Sequence, residues 1–498
     1  MPPRPLGVWK LGADVIRLGG WRVLAQSVVA RMPAGGGCQR RAMCGDWTIP
    51  PATLVPTVFT TMSAPRLPLL PPLDFSRPVK LRARCIAPVT AAPFAGFLEL
   101  DGGRVTALST TADATAVDLG NVAVLPGLVN AHTHLELSDC AAPLETRQHF
   151  TEWVGDLLAH RRARPVAGEG RESPVTLGAR ELRATGTTQA GDIVDASWSP
   201  GLLPAGGPGG VAFLEVLGFG AERRGAMLEL AQAHLRSNAS RGGPDWLRGL
   251  SPHAPYSVHR ELLPAVVDLA VATGTPVAMH VAETVEEREL LDRQTGPYVP
   301  FLDRMGVPWR GGLCDSILGV LRELARAPRA LVVHGNDLGR EEIDFLAGQP
   351  QMTVVYCPRT HAAFGHGPHP WPALLARGVP IAVGTDSRAS NPNLSLWEEL
   401  QFLAGRHPEL PAATLLAWGT RNGARALWGE APGRERGPRE RGPGGGTGGE
   451  IRIGERAELT VVGLEAGVSD PLTQLFAPRH QPLATLRGTD WQACDPVS

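Results

Sequence analysis

Lysine is nearly missing. Only Lys10 and Lys80 occur in 498 residues, so almost all positive charge is arginine, and with 59 Gly and 46 Pro this reads as a GC-biased coding sequence rather than a mechanism. No sign of charge dominates either. Against 48 basic residues stand 49 acidic ones, a net charge of -1, which removes any general electrostatic ground for binding nucleic acid or an anionic membrane surface. A small-molecule substrate is the expectation that remains. The seven cysteines are odd in number, widely spaced and never CxxC, which fits a reducing, cytoplasmic setting better than a disulfide framework. No apolar run approaches the roughly 18 residues of a membrane span. Arg17, Arg22 and Arg31 interrupt the first apolar runs, against a cleaved secretory signal. That segment is basic and acid-poor, which fits a transit peptide, an N-terminal extension or a misassigned start alike.

At roughly 100 to 200 residues per domain the chain has room for two or three domains. Residues 1–77 show no sustained period, are punctuated by Pro and Gly, and are expected to be largely disordered. Residues 78–124 carry short β-branched and apolar runs between turn residues, too few for a core of their own. A similar pattern returns in residues 449–498. The two ends are therefore expected to pair as one small β-sandwich domain, interrupted by a long insertion.

The insertion, residues 125–428, alternates strand-like and helix-length segments. Its apolar runs are VLPGLVNAHTH, GTTQAGDIVD, VAFLEVLG, LRGLSPHAPYS, TPVAMHVAET, ALVVHGN, MTVVYCPRTH and VPIAVGTDS. Eight such runs, each followed by a helix candidate, predict an α/β fold of the (β/α)8 TIM-barrel type, whose catalytic groups sit where strands end. The Gly/Pro/Arg-rich segment 429–448 reads as the linker out of the barrel.

Polar residues gather at those strand ends. His132 and His134 stand two apart at the end of the first run, a spacing that turns two imidazoles to one face and onto one metal ion. His280 and His334 close two further runs, and Asp386 closes the last. A divalent ion with N and O ligands and an open water position lowers the pKa of that water to about 7. Zinc is the first expectation, with iron, manganese or cobalt tolerating the same ligands. Asp386 can then take the water's proton, and Glu283, three residues past a ligand, can protonate a ring nitrogen.

The segments PGLVNAHTHLELS, SPHAPYS, MHVAET, VVHGN and GTDSRASN resemble the amidohydrolase superfamily, over about residues 80–490. The likeness is to the branch of S-adenosylhomocysteine, methylthioadenosine, guanine and aminodeoxyfutalosine deaminases and triazine chlorohydrolases. It implies that His132, His134, His280 and Asp386 bind the metal, that Glu283 shuttles the proton, and that His334 holds or polarises the attacking water. Binuclear members commonly bridge two metals with a carbamylated lysine. This chain has no lysine after Lys80, so that arrangement is excluded and a mononuclear deaminase-type site is left.

Four residues are candidate substrate contacts. His253 sits in a loop fixed by Pro252 and Pro255, and the resemblance places it against the substrate, with a backbone hydrogen bond as the alternative. Glu136 can bind a ribose hydroxyl or pair with an arginine. Trp153 can cap the pocket or simply bury an amphipathic helix face. Arg359, in a YCPRTHAAFGHGPHPW loop that departs from the NPxSN text of homocysteine-nucleoside deaminases, is expected to contact an anion or a carboxylate of the substrate, ahead of a second metal held by His361, His366 and His369. Glu458 is expected only to close a β-turn. The resulting expectation is a metal-dependent aminohydrolase of a purine nucleoside or similar heterocycle. Release of chloride or an alkylamine, opening of a cyclic amide, and a non-catalytic homologue are the alternatives, and by analogy with relatives the chain can be a homodimer.

Overall fold

The computed structural model describes residues 70–71, 73–164, 172–236, 246–429, 448–467 and 469–494. Almost all of the expected disordered segment 1–77 lies outside the described residues. The same holds for the linker 429–448 except its two end residues.

Eight strands form one mixed sheet from both ends of the described chain. They are β1 (Val79–Ile86), β2 (Phe94–Asp101), β3 (Arg104–Ser109), β4 (Val117–Asp118) and β5 (Val122–Pro126), with β14 (Glu458–Gly463), β15 (Pro482–Arg487) and β16 (Asp490–Ala493). The order is β16-β15-β14-β5-β1-β2-β3, with β4 alongside β1. The two ends are joined by the antiparallel β5–β14 pair, in which Val124 faces Val461. Leu81, Leu98, Val122, Val124, Leu459 and Leu486 give this sheet its own apolar cluster. Glu458 differs from its expected turn role. It opens β14, is buried, and its carboxylate accepts from the side chains of Gln189 at 2.7 Å and Arg487 at 3.4 Å.

The remaining eight strands form a parallel (β/α)8 barrel. In chain order they are β6 (Leu128–Thr133), β7 (Thr187–Val194), β8 (Gly209–Val216), β9 (Trp246–Pro252), β10 (Val277–Val281), β11 (Ala330–His334), β12 (Met352–Tyr356) and β13 (Ile381–Val383). Each pairs with its successor in parallel. The ring closes where Thr133 bridges Asp386 and where the Thr385 and Asp386 N–H groups both donate to the His132 carbonyl at 3.1 Å. Gly384 makes that closure possible, since a Cβ there would stand 2.9 Å from His132.

The strands are buried on both faces, as expected of a parallel sheet under helices. In β11 the alternation is plain. Leu331 and Val333 join the inner cluster with Val129, Ile193, Phe213 and Val355, whereas Ala330 and Val332 pack outward against the helices. The helix Arg421–Trp428 closes the lower end, its Ala424 and Leu427 belonging to the inner cluster. The upper, carboxyl end of the strands carries the polar residues.

Candidate active site

His132, His134, His280, His334 and Asp386 converge at that upper end. Regular alternation from Val129 and Ala131 would turn His132 outward. A register shift in the β6–β7 pairing between Asn130 and Thr133 intervenes, and irregularities of this kind re-aim side chains next to functional sites. His132 then meets His134 and His280 with ring centroids 4.9 and 5.0 Å apart. Two further residues of the cluster use strained backbone. His334 has φ 69° and Asp386 φ 58°, left-handed values that cost a non-glycine residue on the order of 1 kcal/mol.

The donor set fits one divalent metal ion. Asp386 Oδ1 lies 3.3 Å from His132 Nε2 and 3.5 Å from His134 Nε2, close to the roughly 3.3 Å edges of a tetrahedron whose metal–ligand bonds are about 2.0–2.1 Å. Ligand atoms of His132, His134 and His280 lie within 4.8 Å of one another, as do those of His132, His334 and Asp386. His132 Nε2 is buried and makes no hydrogen bond, and the same is true of His134 Nδ1. His280 Nδ1 donates to the His253 carbonyl at 2.9 Å, which fixes its tautomer and leaves Nε2 with a lone pair. Burial, followed by neighbouring imidazoles, holds His134, His280 and His334 well below the usual histidine range. All three rings are thereby favoured in the neutral form.

The carboxylates are sorted by their surroundings. Ser390 Oγ donates to Asp386 Oδ2 at 2.6 Å, leaving Oδ1 toward the histidines. Glu283 is 5% exposed, stands 3.4 Å from His334 Nε2, and is pushed well above the usual carboxylic range by burial, then by Asp386 and Glu287.

Around this centre the candidate contacts divide. His253 is in place, its ring 5.1 Å from that of His280, with Nδ1 2.6 Å from Ser257 Oγ and Nε2 3.7 Å from Glu215. Trp153, on α1 (Phe150–Ala163), is buried, with its indole N–H unpartnered, against Phe150 and Phe364. Glu136 pairs with Arg161 and Arg164. Arg359 is placed differently from the expected anion contact. It is committed to Glu398, Glu399 and Asn393, at 2.7, 2.6 and 2.8 Å. His361, His366 and His369 do not assemble a second metal site among the described residues.

Three site residues escape the sequence-based expectation. Arg161 bonds Glu136, and its charge acts on His134, His253 and Glu215. Glu215, next to last in β8, stands 3.7 Å from His253 Nε2. Asp192, fully buried, accepts the Leu135 N–H at 2.8 Å and so fixes the turn after His134. Glu215 and Asp192 each stand in an apolar run where a carboxylate is costly without a purpose. That was the available signal.

Polar groups gathered at the carboxyl ends of a closed parallel barrel put the molecule among the barrel enzymes that do their chemistry there. The profile of the amidohydrolase family matches residues 123–428, and the chain belongs to that family, as a hydrolase acting on carbon–nitrogen bonds. It is 30% identical over 343 residues to the aminodeoxyfutalosine deaminase of Deinococcus radiodurans, covering 65% of this chain and 77% of that one. It is 31% identical over 389 residues to a 5-methylthioadenosine/S-adenosylhomocysteine deaminase of Nitratidesulfovibrio vulgaris, covering 74% and 78%. Its fold is similar to the crystal structure of a Xanthomonas campestris adenosine deaminase with bound zinc, with TM-score 0.63 and 23% identity, over 84% of this chain and 94% of that one.

Proposed function

We propose that the chain is a metal-dependent aminohydrolase that removes the exocyclic amine of a purine nucleoside or a related amino-substituted heterocycle. The observation that carries this is the gathering of N and O donors beside a buried acid, Glu283, which burial pushes well above the usual carboxylic range and which stands 3.4 Å from His334 Nε2. The names of the relatives support the substrate class. His132, His134, His280 and Asp386 would hold the ion, for which zinc is the first choice. When bound, such an ion acts as a Lewis acid and lowers the pKa of water.

The chain's own groups then divide the proton work. Glu283 gives its proton to a ring nitrogen, which makes the adjacent amine-bearing carbon electron-poor. Asp386, with Oδ2 tied to Ser390, uses Oδ1 to take the proton of the attacking water. His334 orients that water. As the carbon–nitrogen bond breaks, Asp386 passes its proton to the amine, which leaves as ammonia, while the added hydroxyl returns its proton to Glu283 and the ring carbon keeps the water's oxygen as a carbonyl. His253, held uncharged by burial and by Arg161 with its pKa down at about 3, offers a neutral hydrogen-bonding edge to the substrate. Glu136 with Arg161, and Trp153 with Phe364, serve the remainder of the substrate.

Ammonia release by the purified, metal-assayed protein tests this against adenosine, 5'-deoxyadenosine, S-adenosylhomocysteine, methylthioadenosine and aminodeoxyfutalosine. Turnover of one of these is expected. Silence from a protein holding one equivalent of metal would overturn the deaminase assignment in favour of another hydrolytic leaving group.

A further inference from the structure

A second set of ligating atoms lies outside the hydrolytic centre, between the first barrel strand and α1. Asp139 and Cys140 follow the short turn Leu135–Leu137, and His160 comes from the last turn of α1. Cys140 Sγ is 3.3 Å from His160 Nε2, and Asp139 Oδ1 is 3.6 Å from the same nitrogen. All three ligand atoms lie within 4.8 Å of one another. With Zn–S about 2.3 Å and Zn–N or Zn–O about 2.0–2.1 Å, tetrahedral edges are about 3.5 Å for S–N and 3.3 Å for N–O. The two edges from His160 Nε2 agree to a few tenths of an ångström.

The surroundings suit a cation held from one side. Cys140 is 3% exposed, while the side chains of His160 and Asp139 keep 28% and 30% of their exposure, so the inner ligand is soft and buried and the outer side is open to water. Two arginines border the thiol sulfur's environment. Arg388 Nε donates to the Cys140 carbonyl at 3.0 Å, and Arg164 pairs with Asp139 at 2.8 Å. Burial and then Asp139 push the Cys140 thiol up, and a bound cation would favour its thiolate.

We propose that Asp139, Cys140 and His160 form a second, peripheral site for a borderline-soft divalent cation such as zinc, separate from the hydrolytic centre. Its three ligands leave a fourth position for water. The ion would fasten the turn after His134 to the far end of α1, the helix that also carries Trp153 and Arg161. Drawing Asp139 onto the ion leaves Arg164 to Glu136, to which it already donates at 3.2 Å.

Titration of the metal-free full chain with cobalt(II) tests the proposal, because a cysteine thiolate on cobalt gives a sulfur-to-metal charge-transfer absorption that N and O ligands do not. The wild type is expected to take up two equivalents, with that absorption following one of them. Cys140→Ser and His160→Gln are expected to take up one equivalent without it. Their retained d–d spectrum and ammonia-releasing activity would show the hydrolytic centre intact and the variants folded. Uptake that stops at one equivalent in the wild type, or a sulfur band that survives Cys140→Ser, would overturn the second site and leave only a thiol-to-imidazole hydrogen bond.

Discussion

His369 donates from Nε2 to the main-chain carbonyl of His334 across 3.0 Å, while its Nδ1 accepts the Trp371 N–H at the same distance. The two bonds fix one tautomer. Stacking on Tyr356, with centroids 3.8 Å apart, fixes the ring plane as well. The residue so held is the one whose φ of 69° needs external support. His369→Phe is therefore expected to lower kcat on the order of 10- to 100-fold, the scale for partners that orient site ligands. KM and metal content should change little. His369→Gln, which keeps a donor, should recover part of the loss. Equal losses in the two variants would show that the ring fills space and positions nothing.

Glu283 is the group on which the proton transfers depend. Glu283→Gln keeps its volume and removes its acidity, so activity should fall on the order of 100- to 10,000-fold while the metal content stays that of the wild type. Kinetics alongside metal analysis decide this. An unimpaired rate would sink the proposed roles.

Chelation should abolish ammonia release, and return of zinc should restore it. His280→Ala is expected to weaken metal binding rather than alter the substrate response, because its Nε2 is left free by the bond from Nδ1 to the His253 carbonyl. Competition with a chromogenic chelator measures the affinity. A variant that holds zinc as tightly as the wild type would remove His280 from the ligand set.

The metal candidates were legible for a physical reason. A histidine or aspartate that ends an apolar run has little place to go except the rim of the sheet, and His132, His280, His334 and Asp386 all follow that rule. Arg359 was not legible, because its fate depends on Glu399, forty positions later and 0% exposed. Arg161 was hidden among three consecutive basic residues, His160, Arg161 and Arg162, of which only the packing of α1 selects one to face Glu136. Glu458 read as a turn because its partners, Gln189 and Arg487, belong to other strands. Local pattern gives strand ends, and side-chain pairing across hundreds of residues stays out of its reach.

Arg359→Ala should act on stability. The change leaves Glu399 buried without its main counter-charge, the kind of broken buried pair that costs about 3–5 kcal/mol. Denaturant unfolding should show that loss while KM of the folded fraction holds steady. A raised KM at unchanged stability would return Arg359 to a role in substrate contact.

Acid should weaken the fold through its buried neutral histidines. The pKa of His369 is pushed down to about 3, chiefly by burial, from an ordinary 6.5. The unfolded chain therefore binds more protons than the native one between those values, and ∂ΔG/∂pH is positive there. The stability contributed by His369 is present above pH 6.5 and is lost as pH falls toward 3. By pH 5 the loss is about 2 kcal/mol, from about 1.5 units at about 1.4 kcal/mol each. Glu287 works oppositely, since burial raises it to about 7, so its contribution is lost as pH rises through 7. The whole-protein slope is thus a difference, and the single variant isolates one part of it. Metal-free His369→Gln, unfolded by denaturant at pH 7.5 and pH 5, should lose about 2 kcal/mol less over that interval than metal-free wild type. Equal slopes in the two proteins would mean that the His369 ring titrates as it does in water, and that burial does not hold it neutral.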